Sequence, residues 1–187
     1  LKSQSYKLHS YYETGKRDAF VLAADMFLKN PNSSAEDIHT IRFELAESYF
    51  HLAQSCEDEQ KKGALLREAL AQYQQVMETS YCDLTLIPQA YAYEYLKEYA
   101  KAASLYALLA QKEPEKKEDW LFHQASMQLQ GDRRGAIDTF AKIVELQGKN
   151  ASRAAFNQLN LLFQEREYKD FILAHDRVIG HVSENKL

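Results

Sequence analysis

Side chains in this chain, all but one of them apolar, recur in threes at i, i+4 and i+7. The triplets are Ala19, Ala23, Met26; Ala69, Tyr73, Val76; Ala102, Tyr106, Leu109; Ala136, Phe140, Ile143; and Phe171, His175, Val178. That spacing lies along one face of an α-helix and would scatter over both faces of a strand. A second set of stripes sits between them: Leu45, Ala46, Tyr49; Leu86, Ala90, Tyr93; Trp120, Gln124, Met127; and Ala155, Leu159, Leu162. The two sets alternate, which predicts about five antiparallel helix hairpins. The small-then-large order has a packing reason, since a small residue lets two helices approach and a large one fills the groove beside it. Residues 86 to 143 also repeat at an offset of 34, pairing Leu86 with Trp120, Tyr93 with Met127, Ala102 with Ala136, Tyr106 with Phe140 and Leu109 with Ile143. A fixed period of this length is the mark of a stacked hairpin array.

Breakers fall between the stripes. Gly15 and Gly131 are placed to close hairpins, and Pro31 and Pro114 to end helices. Ser33 with Glu36 has the spacing of a capping box that starts the helix containing Ile41 and Leu45. Pro88 is expected near the start of its helix, where free N–H groups make it tolerable. Asn32-Ser33-Ser34 and Asn150-Ala151-Ser152 fit the glycosylation pattern but read more simply as capping residues. The charge run from Lys112 to Asp119 reads as a solvated connector.

Composition agrees with an all-α chain. Of 187 residues 45% are apolar, with only 6 Gly and 3 Pro to interrupt helices. The net charge is −4, and Lys and Arg are scattered, so nothing gathers a phosphate backbone and no nucleic-acid partner is expected. No apolar run approaches the roughly 20 residues that span a bilayer, so the chain is not expected to insert into a membrane. Cys56 and Cys82 are predicted at opposite ends of a helix of about 16 residues, roughly 24 Å apart. A disulfide needs Cα atoms within about 7 Å, so two free thiols are expected, which fits a reducing compartment without fixing one. Leu1 is not an initiator and the first Met is Met26, so the chain reads as a piece of a longer or processed one. Its compartment, cytoplasm or bacterial periplasm and envelope, is left open.

With these residues in place the chain resembles the tetratricopeptide repeat (TPR) family. The fourth unit offers Trp120, Gly131, Asp132, Ala136 and Phe140, and the third Ala90, Tyr93, Tyr99, Ala102, Tyr106 and Pro114. The second matches at Leu45, Ala46, Tyr49, Ala69 and Tyr73, with about 11 extra residues, including Glu57-Asp58-Glu59, which lengthened helices would absorb. The first and fifth depart from the pattern at Lys7, Leu8, Phe171 and His175, as terminal repeats commonly do. The resemblance implies one right-handed α-solenoid over residues 1–187, in units of about 3–32, 38–80, 83–116, 117–150 and 151–183. The segments Phe27 to Ser33 and Phe43 to Phe50 are also similar to bacterial envelope repeat proteins, the outer-membrane assembly lipoproteins and the Tol-Pal coordinator.

The resemblance also implies where a partner is held, on the outward side of each hairpin's first helix. Carried over by the repeat, those positions are Phe43, Glu47, Phe50 and His51; Ile87, Tyr91, Glu94 and Tyr95; Leu121, Ala125 and Gln128; and Phe156, Asn160 and Phe163. Some of them can instead pack on a neighbouring hairpin. As a row they form an aromatic, neutral to acidic groove suited to a peptide, a helix or another protein. The clamp for a chaperone's terminal carboxylate needs Lys, Asn and Arg where this chain has Phe43, Glu44, Glu47, Pro88 and Tyr91, so that ligand does not fit. No Walker loop, GxGxxG, HExxH or CxxC is present and the six histidines are dispersed, so neither catalysis, cofactor nor metal is expected. His175 is expected to be packed and hydrogen-bonded, and His51 to be a solvated surface side chain. Two alternatives stand beside a binding module: a self-associating scaffold, and an accessory domain of an enzyme whose catalytic part lies elsewhere.

Overall fold

The computed structural model describes residues 2–30 and 32–184, with side chains over 6–30 and 32–179. Pro31, expected to end a helix, lies outside the described residues. Ten α-helices are found among the described residues, and no strand. They are α1 (Lys2–Glu13), α2 (Arg17–Leu28), α3 (Ala35–Gln54), α4 (Glu59–Gln74), α5 (Cys82–Tyr95), α6 (Tyr99–Lys112), α7 (Lys117–Gln128), α8 (Arg133–Leu146), α9 (Ala151–Gln164) and α10 (Tyr168–Glu184). A 3₁₀ turn at Pro114–Lys116 follows α6, so Pro114 stands where a helix stops. The chain forms two compact units, Leu1–Leu96 and Lys97–Leu187.

In the first unit α2 packs on α3, α3 on α4, and α4 on α5. The second hairpin is the stretched one. Its α3 has 20 residues and α4 has 16, so the extra length goes into helix and the acidic segment becomes a cap: the Asp58 carboxylate accepts from the Lys61 N–H at 2.9 Å. Ala69, Tyr73 and Val76 are buried completely, and a buried aromatic of this size contributes about 2–3 kcal/mol. The first hairpin differs from expectation. Its core is Phe20, Ala24 and Phe27, again i, i+4, i+7, while Met26 is 77% exposed and Ala19 is on the surface. The stripe runs one residue later because the two large Phe side chains take the inner face.

In the second unit α6 packs on α7, α7 on α8, α8 on α9, and α9 on α10. Ala102, Tyr106 and Leu109 on α6, and Ala136, Phe140 and Ile143 on α8, are all buried, so the offset of 34 aligns core with core on these second helices. Tyr106 stacks on Trp120 and on His123, with centroids 6.0 and 4.9 Å apart.

Several caps and turns are built otherwise than expected. Ser34, not Ser33, caps α3: its Oγ accepts from the Asp37 N–H at 3.1 Å, while the Ser33 hydroxyl donates to the Phe27 carbonyl. Ser33 is thus spent on closing α2, which moves the cap on by one. Asn150 precedes α9 without a side-chain cap; it donates to Asp119 from Nδ2 and to Glu118 from its backbone. Pro88 lies inside α5, at its seventh residue rather than near its start. The carbonyl that loses its ladder partner there is that of Leu84, an exposed residue. Cys56 and Cys82 are both free thiols.

Candidate interaction surfaces

In the first unit, α3 places Phe43, Glu47, Phe50 and His51 along one side, and each is half-buried. Each also has an intramolecular partner. Phe43 stacks on Tyr81, with centroids 4.6 Å apart and planes 15° from parallel, and the Tyr81 hydroxyl meets Thr40 Oγ1 at 2.9 Å. Glu47 Oε1 accepts from the Tyr73 phenol at 2.5 Å, and Oε2 lies 3.8 Å from His51 Nε2. Phe50 meets His51 edge-on and packs beside Ala46, Ala69 and Tyr73. His51 is therefore held by its own helix rather than simply solvated.

On α5 of the same unit, Ile87, Tyr91, Glu94 and Tyr95 share a side, and Tyr91 is the most open of them. Tyr95 carries the Lys62 ammonium 4.7 Å above its ring and donates its hydroxyl to Glu59. That bond to a carboxylate, more than burial, pushes the phenol up to about 12. The face is thus aromatic and lined with carboxylates, but much of it is already tied down.

In the second unit the expected α7 residues divide. Leu121 is 6% exposed and Ala125 is fully buried, so both are core positions and not surface ones. The reason is a difference in helix starts. From α5 (Cys82) to α7 (Lys117) the step is 35, whereas from α6 (Tyr99) to α8 (Arg133) it is 34, so one offset of 34 applied to residues 86 to 143 misplaces the first helix by one. The residues on the corresponding side of α7 are Phe122, Ser126 and Leu129, each half-buried, and Gln128 is held by a hydrogen bond from Thr139. Phe122 was legible as an aromatic but not as a face residue. It meets Phe140 edge-on at 5.6 Å and takes the Arg153 guanidinium 4.5 Å above its ring.

On α9 the three expected residues do share an open side. Phe156 is 70% exposed, Phe163 60%, and Asn160 between them is exposed. Phe163 meets Tyr168 and Phe171 edge-on, at 6.1 and 6.2 Å, which carries the aromatic surface over the turn to α10. There His175 is exposed, stacked flat on Phe171 and 3.5 Å from Asp176, so it is a surface residue and not a packed one. Elsewhere in this unit a cleft of about 780 Å³ runs beside α6, lined by Ala103, Ser104, Ala107, Gln124 and Gln128. Tyr99, Lys101, Met127 and Asp132 also line it, and no single helical period marks this mixture of apolar, amide and charged side chains from α6, α7 and the turn that follows α7.

Among known proteins, no family model matches the chain, and no curated protein matches it. The resemblance to bacterial envelope repeat proteins therefore finds no support. Among solved structures it is similar to a Podosopora anserina protein of kinesin-light-chain type with nearly identical TPR-like repeats, at 16% identity over 99% of this chain and 96% of that one, with a TM-score of 0.49. A glutamine-to-methionine variant of that protein is similar at 15% identity over 100% and 96%, with a TM-score of 0.47.

Proposed function

We propose that this chain is a non-catalytic interaction module that seats a partner helix or peptide on the outward sides of its hairpins' first helices. The observation that carries this reading is the α9 row. Two phenylalanines seven residues apart on one helical side, with an asparagine between, stand largely open in a chain whose other large aromatics are mostly packed. Exposed aromatic surface of this kind marks a binding site, and aromatic anchors dominate binding energy. A partner helix would meet it with its own i, i+3, i+4 and i+7 apolar side chains. Phe122, Ser126 and Leu129 replace Leu121 and Ala125 in the surface, and the α3 and α5 residues supply a second, more acidic face on the other unit.

Panning a phage-displayed library of helical peptides against the chain tests the reading. Peptides enriched on the wild type should be lost on a Phe156→Ser, Phe163→Ser variant of unchanged helicity. Failure to enrich any peptide, or peptides retained by the variant, would remove the α9 row as the site.

A further inference from the structure

The second helix of each earlier hairpin has one side covered by the first helix of the next. On α8 that side includes Ile137, which is buried beside Gln158 and Leu162 of α9. Counting each helix from its first residue, the matching position on α10 is Ile172, and there it is exposed. The exposed stripe is Tyr168, Ile172, His175 and Ile179, at i, i+4, i+7 and i+11, with its three apolar members each more than half open. This is the spacing of a coiled-coil seam, in which Tyr168 and His175 take one core position and Ile172 and Ile179 the other.

We propose that the seam is closed by α10 of a second copy of this chain, running antiparallel about a two-fold axis. The charges beside the seam favour that occupant. Lys169 and Asp176 flank it on one side, seven residues apart and opposite in sign, and both are exposed. An antiparallel copy centred between Leu173 and Ala174 sets Tyr168 against Ile179 of the second copy and Ile172 against its His175. The same alignment brings Lys169 to the second copy's Asp176, and Asp176 to its Lys169. One residue spacing thus satisfies the apolar layers and two symmetric ion pairs together. A parallel copy would form no ion pair at this flank, because there Asp176 of one copy would meet Phe171 of the other. An isologous contact of this kind needs no second surface, and the polar His175 layer fixes its register.

The contact is modest. With 17 residues α10 is about 25 Å long, and a single helix pair falls below the roughly 800 Å² per partner of a standard interface. A weak dimer, with a dissociation constant of about 10–100 µM, is the expectation.

Sedimentation equilibrium of the whole chain across that range is the test. The wild type should pass from monomer to dimer with concentration. Ile172→Asp, at an exposed position that the fold does not need, should weaken the dimer at least about tenfold, because the charge enters both halves of the contact. Lys169→Asp and Asp176→Lys should each weaken it about three- to tenfold, and the two together should restore it. Phe156→Ser should leave it unchanged, which separates this surface from the α9 site. Should Ile172→Asp unfold by circular dichroism, Tyr168→Ser is expected to weaken the dimer in its place. A wild-type chain that stays monomeric to several times the upper end of that range, a dimer insensitive to the folded seam variants, or charge reversals that do not compensate would each overturn the proposal.

Discussion

The phenol of Tyr73 on α4 donates to Glu47 on α3 across 2.5 Å, so a fully buried aromatic carries a polar atom that ties together the two helices of the stretched hairpin. Burial and the Glu47 charge both push the Tyr73 pKa far up. Tyr73→Phe keeps the packing and removes the charge-assisted bond, and urea unfolding should show a loss of about 1–2 kcal/mol with unchanged helicity. The pH dependence follows from the direction of the shift. A raised folded pKa gives stability that is complete below the unfolded value of 10.0 and is lost as pH climbs beyond it. Wild-type chain should therefore lose stability more steeply above pH 10 than the Phe variant, and parallel curves would count against the bond.

Arg166 closes α9 in the left-handed region, at φ +61°, in the role that Gly15 fills after α1 at φ +70°. The hydrogen bonds match: the Lys16 N–H reaches the Tyr11 carbonyl, and the Glu167 N–H the Leu162 carbonyl, both at 2.9 Å. An L side chain held there costs about 1 kcal/mol. Arg166→Gly should raise the unfolding free energy by up to about 1 kcal/mol, and Lys97→Gly, at φ +61° before α6, by a similar amount. A fall in thermal midpoint for both variants would mean that the side chains contribute more than the backbone loses.

These turns show where the fold was legible and where it was not. Gly15 announces its turn because glycine is cheap at positive φ, while Lys97 and Arg166 adopt the same backbone with nothing in their chemistry to signal it. The helices themselves were readable, because stripes such as Ala102, Tyr106, Leu109 and Ala136, Phe140, Ile143 meet the same neighbours in successive hairpins. Registers at the ends were not: Phe20, Ala24, Phe27 and the competing Ala19, Ala23, Met26 have the same spacing, and packing against α1 and α3 selects between them. The surface was least legible. Leu121 and Phe122 are adjacent and both apolar, and which of them faces outward depends on a one-residue difference in where α7 begins.

Gly131 and Gly135 flank the start of α8 and should respond oppositely to alanine. A Cβ on Gly135 would fall within contact distance of the Asp132 carboxylate, which caps the helix by accepting from the Gly135 N–H, and 2.7 Å from Gln128 Nε2. Gly135→Ala should therefore displace the cap and cost about 1 kcal/mol net, despite alanine's better helix propensity. Around Gly131 there is open space, and its backbone is not left-handed. Gly131→Ala should be neutral or slightly stabilising, as measured by thermal unfolding of both variants side by side.

The carboxylate of Glu44 on α3 is buried, with Oε1 held by His9 Nδ1 at 2.5 Å and Oε2 without a partner among the described residues. Burial raises its pKa above the usual 4.5, and the hydrogen bond and charge of His9 only partly oppose this. The sign then runs against the common acid case. The folded state holds the proton more tightly than the unfolded one, so the contribution of Glu44 is fully favourable below pH 4.5 and declines as pH rises through the raised folded value. Glu44→Gln keeps the shape and removes this titration, so the stability of the variant relative to wild type should increase as pH is raised from about 4.5 towards neutrality. His9→Ala should steepen the wild-type decline, since it removes the group that stabilises the charged form. Measuring urea midpoints of the three proteins between pH 4 and 7 decides the matter: a Glu44→Gln difference that is flat with pH would show that Glu44 keeps the same charge in the folded and unfolded chain, and that the His9 contact holds α1 against α3 without reference to it.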